Sequence, residues 1–156
     1  MVKTEAIILK TADLGEADQL LTIYSKEFGK IRVIARGIKR LESKLRYHLE
    51  PLTYNQLILI EGKSFRIVKD AILLDEFLLM RKELEKTKIA YKIAELLDQA
   101  IVDEEKDEKI WSLLLKTLKN LNVGHSTSNI AKDFQNSLIR LLGYDPSHIK
   151  DLADIY

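Results

Sequence analysis

Cysteine is absent from the 156 residues, which excludes disulfides, thiol nucleophiles and zinc sites built on thiolates. A dominant charge is absent too. The chain has 25 basic side chains against 24 acidic ones, so a uniformly basic, histone-like binder is excluded and charge can matter only through its placement. No apolar run reaches the roughly 18 residues that a membrane helix needs. The opening MVKTEAIILKTADLGEAD flanks a short apolar stretch with acids, unlike a secretion signal. A cytoplasmic protein without a membrane partner is the expectation.

Glycine is scarce, with six residues, and none forms a phosphate-cradling loop or a nucleophile elbow. His48, His125 and His148 are too far apart in sequence to suggest joint ligands or triad partners. Asp13, Glu16 and Asp18 lie between two strand-like segments and read as turn formers and caps rather than a carboxylate site. The acidic run from Asp103 to Glu108 lacks the alternating Asp/Asn pattern and the glycine of a calcium loop. It reads as a solvated bend between helices. No enzyme activity, cofactor or metal is expected.

Apolar residues make up 46% of the chain, ample for a packed core. From Thr4 to about Leu74 they recur with a period of two, which predicts strands over Thr4–Thr11, Gln19–Ser25, Lys30–Arg36, Thr53–Ile60 and Phe65–Leu73. Gly29 and Gly62 fall between neighbouring strands and predict hairpins, with glycine supplying positive φ. In the longer link Gly37–Pro51, Leu41, Leu45 and Leu49 recur every four residues, compatible with a short helical piece. Five antiparallel strands with an extended link after the third predict a Greek-key barrel of the oligonucleotide-binding (OB) type over residues 1–76.

After Glu76 the period becomes helical, so the fold class is α+β, with an all-helical domain over 77–156. Met80, Leu84, Thr87, Tyr91, Ala94, Leu97 and Ile101 form a first stripe. Ile110, Trp111, Leu114, Leu118 and Leu121 form a second, which Leu113 and Leu115 widen. The third helix shows Ile130, Phe134, Leu138, Leu141 and Leu142, with Ser and Thr of NVGHSTSN as caps before it and Gly143 and Pro146 after it. Three helices are expected, with Trp111 in their core.

Residues 26–46 hold eight basic side chains, namely Lys26, Lys30, Arg32, Arg36, Lys39, Arg40, Lys44 and Arg46, against Glu27 and Glu42, an excess of six positive charges. The rest of the chain has 17 basic against 22 acidic side chains. Strand alternation puts Lys30, Arg32 and Arg36 on one face of the third strand and Ile31, Val33 and Ala35 on the other. A basic row running into a basic link suits a phosphate backbone, because cations release its condensed counterions without reading sequence. The alternative is a solvated edge blunted by charge. Tyr47 and Tyr54 lie near enough in sequence to stack bases or to pack within the strands. Phe134, with Lys132 and Arg140 on its helix, is compatible either with core packing or with a basic-rimmed pocket for an acidic, aromatic-ended tail.

The ordered segments EAIILKTADLGEADQLLTIYSKEFGKIRVIARGIKR, SKLRYHLEPLTYNQLILIEGKSFRIVKDAILLDEF and LIRLLGYDP resemble the bacterial recombination mediator family RecO over nearly the whole chain. The resemblance implies an OB barrel that binds single- and double-stranded DNA, anneals strands and contacts the ring-forming partner RecR. It also implies a helical domain that holds the C-terminal tail of the single-stranded-DNA-binding protein (SSB). The matching DNA-binding positions are Lys30, Arg32, Arg36, Lys39, Arg40, Lys44 and Arg46, and Phe134, Leu138, Arg140 and Leu141 are candidates for the tail. Family members commonly continue into a cysteine-containing zinc module, which this sequence lacks. The function expected is a DNA repair mediator that helps load recombinase on SSB-coated DNA. The rival expectation is a helical protein–protein adaptor whose barrel is only a scaffold.

Overall fold

The computed structural model describes residues 1–102, 104–124 and 126–148. His125, and Asp103 of the acidic run, lie outside them. Two compact units emerge, one of Met1–Glu76 with Asp103–Lys106 and the other of Phe77–Val102 with Asp107–Tyr156.

The first unit is a closed barrel of β1 (Val2–Leu14), β2 (Asp18–Ser25), β3 (Gly29–Ala35), β4 (Tyr54–Ile60) and β5 (Arg66–Asp75). The predicted five strands are thus present. Alternate residues of each strand turn inward, and Ala6, Ile8, Leu21, Ile23, Ile31, Val33, Ala35, Leu57, Leu59, Val68 and Ala71 fill the interior. A bulge between Ile8 and Lys10 makes Leu9 an extra residue on β1, which is how Ile7, Ile8 and Leu9 are all buried in succession.

Neighbours run in the order β1-β2-β3-β5-β4, and β4 returns to β1. Strand directions that alternate around a ring of five cannot all be antiparallel. One pair must be parallel, and it is β3 with β5, through Val33 opposite Arg66 and Ile34 opposite Ile67.

The link between β3 and β4 has no helix. It is a chain of four-residue turns, with the amides of Arg40, Ser43, Arg46 and His48 donating to the carbonyls of Gly37, Arg40, Ser43 and Leu45. Ends tied elsewhere explain this. The Gly37 amide donates to Asp18 Oδ1 at 2.7 Å and the Lys39 amide to the Ala17 carbonyl at 3.0 Å. At the far end Thr53 Oγ1 and Asn55 Nδ2 both donate to the His48 carbonyl, at 2.9 and 2.8 Å. Leu41 is accordingly 84% exposed, whereas Ile38 and Leu49 enter the core and Leu45 packs against it.

The two hairpin glycines differ. Gly29 has φ +69°, and a Cβ on it would lie 2.0 Å from the Glu105 carbonyl oxygen. Gly62 does not have positive φ. Its requirement is space, because a Cβ there would lie 2.2 Å from the Phe65 carbonyl oxygen.

The helical unit contains α1 (Leu78–Arg81), α2 (Leu84–Ala100), α3 (Glu108–Val123) and α4 (Ile130–Leu141). The first predicted helix is therefore broken in two, because Glu83 is extended at φ −116°, ψ 118°. That break resets the helical phase, so Leu84 and Tyr91 are exposed while Ala90, Ile93, Ala94, Leu96 and Leu97 form the buried face. Trp111 is buried as expected. Asp107 caps α3, accepting from the amides of Lys109 and Ile110, both at 3.0 Å. No Ser or Thr side chain caps α4; Asn129 precedes it in the left-handed region without a side-chain cap. At its other end Gly143 (φ +92°) allows Tyr144 N to reach the Ile139 carbonyl and Gly143 N the Arg140 carbonyl, satisfying two terminal carbonyls.

Lys86 is buried, donating to the Gly124 carbonyl at 2.7 Å and pairing with Glu83 at 2.9 Å. It ties the first turn of α2 to the end of α3. Lys86→Met keeps the volume but orphans that carbonyl, and is expected to cost about 1–3 kcal/mol in denaturant unfolding. Gly29→Ala is expected to lower barrel stability by at least ~1–2 kcal/mol, the penalty for a left-handed Cβ; an unchanged unfolding midpoint would refute this reading of the turn.

Candidate nucleic-acid interface

β3 presents its basic residues as alternation requires. Ile31, Val33 and Ala35 are buried inside the barrel, Arg32 is exposed and Lys30 is half-buried. Arg36 follows the strand end and is exposed, as are Lys39, Arg40 and Lys44 in the link, whereas Arg46 is half-buried. At ~3.3 Å per residue the strand carries the row from Lys30 to Arg36 over about 20 Å. That length suits the lower end of the roughly 4–16 nucleotides that an OB fold covers.

The charges are not equivalent. Lys39 Nζ lies 2.9 Å from Asp13 Oδ2, so a carboxylate near the end of β1 neutralises it while Asp18 anchors the adjoining backbone. Among the described residues, no ion pair involves Arg32, Arg36, Arg40 or Lys44. Arg46 lies over the Tyr47 ring at 5.6 Å from its centroid.

The two tyrosines part company here. Tyr47 is 71% exposed, and the ring face that Arg46 does not cover is open to a flat ligand. Tyr54 is 9% exposed and its hydroxyl donates to Glu5. Burial, that hydrogen bond and the Glu5 charge together push the Tyr54 hydroxyl well above the ordinary tyrosine range. It is a packing residue.

The structure adds residues that the local charge pattern missed. A hollow of about 630 Å³ on the barrel is lined by Lys30 and Arg32, by Lys63 and Arg66 from the β4–β5 hairpin and the start of β5, and by Glu61 and Glu104. Lys63 and Arg66 stand some thirty residues from β3 in sequence. Only the parallel β3–β5 pairing brings them beside it, so no spacing rule would have found them. Arg66 also covers the Phe28 ring, at 4.3 Å from its centroid, and Phe28 packs against the barrel core.

In the helical unit Leu138 is wholly buried, while Phe134 is buried but borders a hollow of about 180 Å³ with Leu113, Thr117, Ile130 and Asp133. Arg140 and Leu141 are exposed. Leu141 borders a different hollow of about 460 Å³, with Leu113, Glu108, Lys109, Ser112 and Lys116. The four residues therefore do not share one pocket. The cations beside Leu141 come from α3, a pairing that the α4 pattern alone does not reveal.

The Asp13 carboxyl titrates below the ordinary aspartate range, first because Lys39 donates a hydrogen bond to it, then through Gln19 and the Lys39 charge. The stabilisation this pair contributes is present above the ordinary range and fades as pH falls through the lowered value. In Lys39→Gln the carboxyl midpoint, followed by NMR, should rise toward the model-peptide value of about 3.9.

Comparison with known proteins bears on the same two units. The family model described as Recombination protein O N terminal matches residues 1–77, and that described as Recombination protein O C terminal matches residues 81–151. The chain is 39% identical over 144 residues to the DNA repair protein RecO of Roseiflexus sp. (strain RS-1), covering 92% of this chain and 50% of the relative. It is 32% identical over 146 residues to that of Pelotomaculum thermopropionicum, covering 94% and 57%, and 33% identical over 144 residues to that of Desulforamulus reducens, covering 92% and 56%. The chain thus spans about half the length of these curated relatives.

Proposed function

The chain belongs to the recombination protein O family, and from that premise we propose that it serves DNA repair and recombination by binding rather than by bond chemistry. The observation that carries this reading is the outward row of cations on β3, set on a closed barrel with a packed apolar core. Lys30, Arg32, Arg36, Arg40 and Lys44 hold phosphates of single- or double-stranded DNA, Lys39 and Arg46 flank them, and Tyr47 offers a ring for a base. Two strands held on such a surface lose their mutual repulsion, which favours annealing.

The helical unit is the partner-binding part. Its hollow around Leu141, where Lys109 and Lys116 outnumber Glu108, has the chemistry to receive the acidic C-terminal tail of SSB, with Arg140 nearby on α4 and with Phe134 and Leu138 as the packed support. RecR is the further partner that family membership suggests. Holding DNA and the SSB tail on one molecule raises the effective concentration of each for the other, which would help recombinase to load. We place this work in the cytoplasm; no described helix is long and apolar enough to cross a membrane.

About five phosphate contacts on single-stranded DNA give a log-log salt slope of roughly −3.5, or about a hundredfold loss of affinity between ~50 and ~200 mM salt. Arg32→Gln with Arg36→Gln should flatten the slope by ~1.4 and weaken all sequences alike. A wild-type slope near zero rejects the phosphate reading and leaves the adaptor as the better account.

A further inference from the structure

Arg66 stands in the same hollow as Lys30, Arg32 and Lys63, yet its charge is already answered twice. Its Nη1 lies 3.1 Å from Glu104 Oε1 and its Nε 3.6 Å from Glu61 Oε1. One face of the guanidinium is fixed on the Phe28 ring, so its edge points at oxygen acceptors in a set direction. A carboxylate and a phosphate offer that edge similar pairs of oxygens.

The members of this cluster differ in how firmly they are held. The Arg66 side chain is 24% exposed, while those of Glu104 and Glu61 are 48% and 83% exposed. The arginine is the fixed partner and the carboxylates are the removable ones. Glu104 nevertheless does not arrive by chance. The next residue, Glu105, sets its carbonyl against Gly29, where no side chain would fit. Lys106 then pairs with Glu27 at 3.2 Å. These contacts all lie within the barrel unit, and they deliver a second carboxylate, beside that of Glu61, to a hollow that four cations line.

Resting on the nucleic-acid reading above, we propose that Glu104 stands in for a backbone phosphate: it holds Arg66 in the free protein and yields it to a strand entering the hollow. Arg66 is then a further DNA contact, and Glu104 a built-in brake on binding. The exchange trades one ion pair for another. The freed carboxylate takes up a cation as the phosphate gives one up, so this contact adds little to the salt slope while Glu104 is charged.

The test is a double-mutant cycle on the whole chain, read by anisotropy of a fluorescently labelled oligothymidylate across a salt series, with circular dichroism to verify folding. Glu104→Gln should tighten binding roughly two- to fivefold at low salt, the range a half-exposed ion pair accounts for, and steepen the slope by ~0.7 to 1. In an Arg66→Gln background the same substitution should change neither. No change on Glu104→Gln alone, or an equal gain in the Arg66→Gln background, overturns the exchange. Arg66→Met replaces Arg66→Gln if the latter does not fold; it likewise removes the charge, and an undiminished gain there overturns the exchange as well. A flat salt slope in the wild type would instead sink the nucleic-acid reading itself.

Discussion

The parallel pairing of β3 with β5 is the constraint on which the barrel surface depends. An odd number of strands cannot close antiparallel throughout, and this chain meets the parity problem with a short seam, Val33 with Arg66 and Ile34 with Ile67. Closure buries Ile31, Val33 and Ala35, and strand alternation then leaves Lys30 and Arg32 no choice but to face outward. The same seam carries the β4–β5 hairpin to the side of β3. A basic row that the third strand would present alone becomes one wall of a hollow whose other wall is Lys63 and Arg66.

Positive charge on this surface is graded rather than uniform. Arg32, Arg36, Arg40 and Lys44 face solvent without an ion pair among the described residues. Lys39 is matched by Asp13, and Arg66 by Glu61 and Glu104. A chain with a net charge of +1 can hold a basic face only by placing its acids elsewhere or by pairing them, and both occur here. Pairs this exposed stabilise the fold weakly. Their larger effect is to set which cations can meet a polyanion without first giving up a partner.

The helical unit shows how one backbone break changes a surface. An unbroken helix from Met80 would have buried Leu84 and Tyr91. With Glu83 extended, α2 starts on a new phase and those two face solvent, while buried Lys86 reaches across to Gly124 and joins α2 to α3. Docking of α4 on α3 then leaves two separate hollows on either side of Leu113.

The strands, the basic face of β3, the hairpin at Gly29 and the end of α4 at Gly143 were all legible in the sequence. Each depends on neighbours a few residues away, through side-chain alternation, helical period or the need for positive φ, and such local forces are written in order along the chain. What lies far apart was not legible. The break at Glu83, the turn-built link tied to Asp18 and Asn55, the burial of Tyr54 beside Glu5, and the meeting of Arg66 with Phe28 and Glu104 leave no periodic trace. They arise from ring closure and from packing that joins distant segments, and only the tertiary structure decides which of several equally charged residues ends with a carboxylate and which with open solvent.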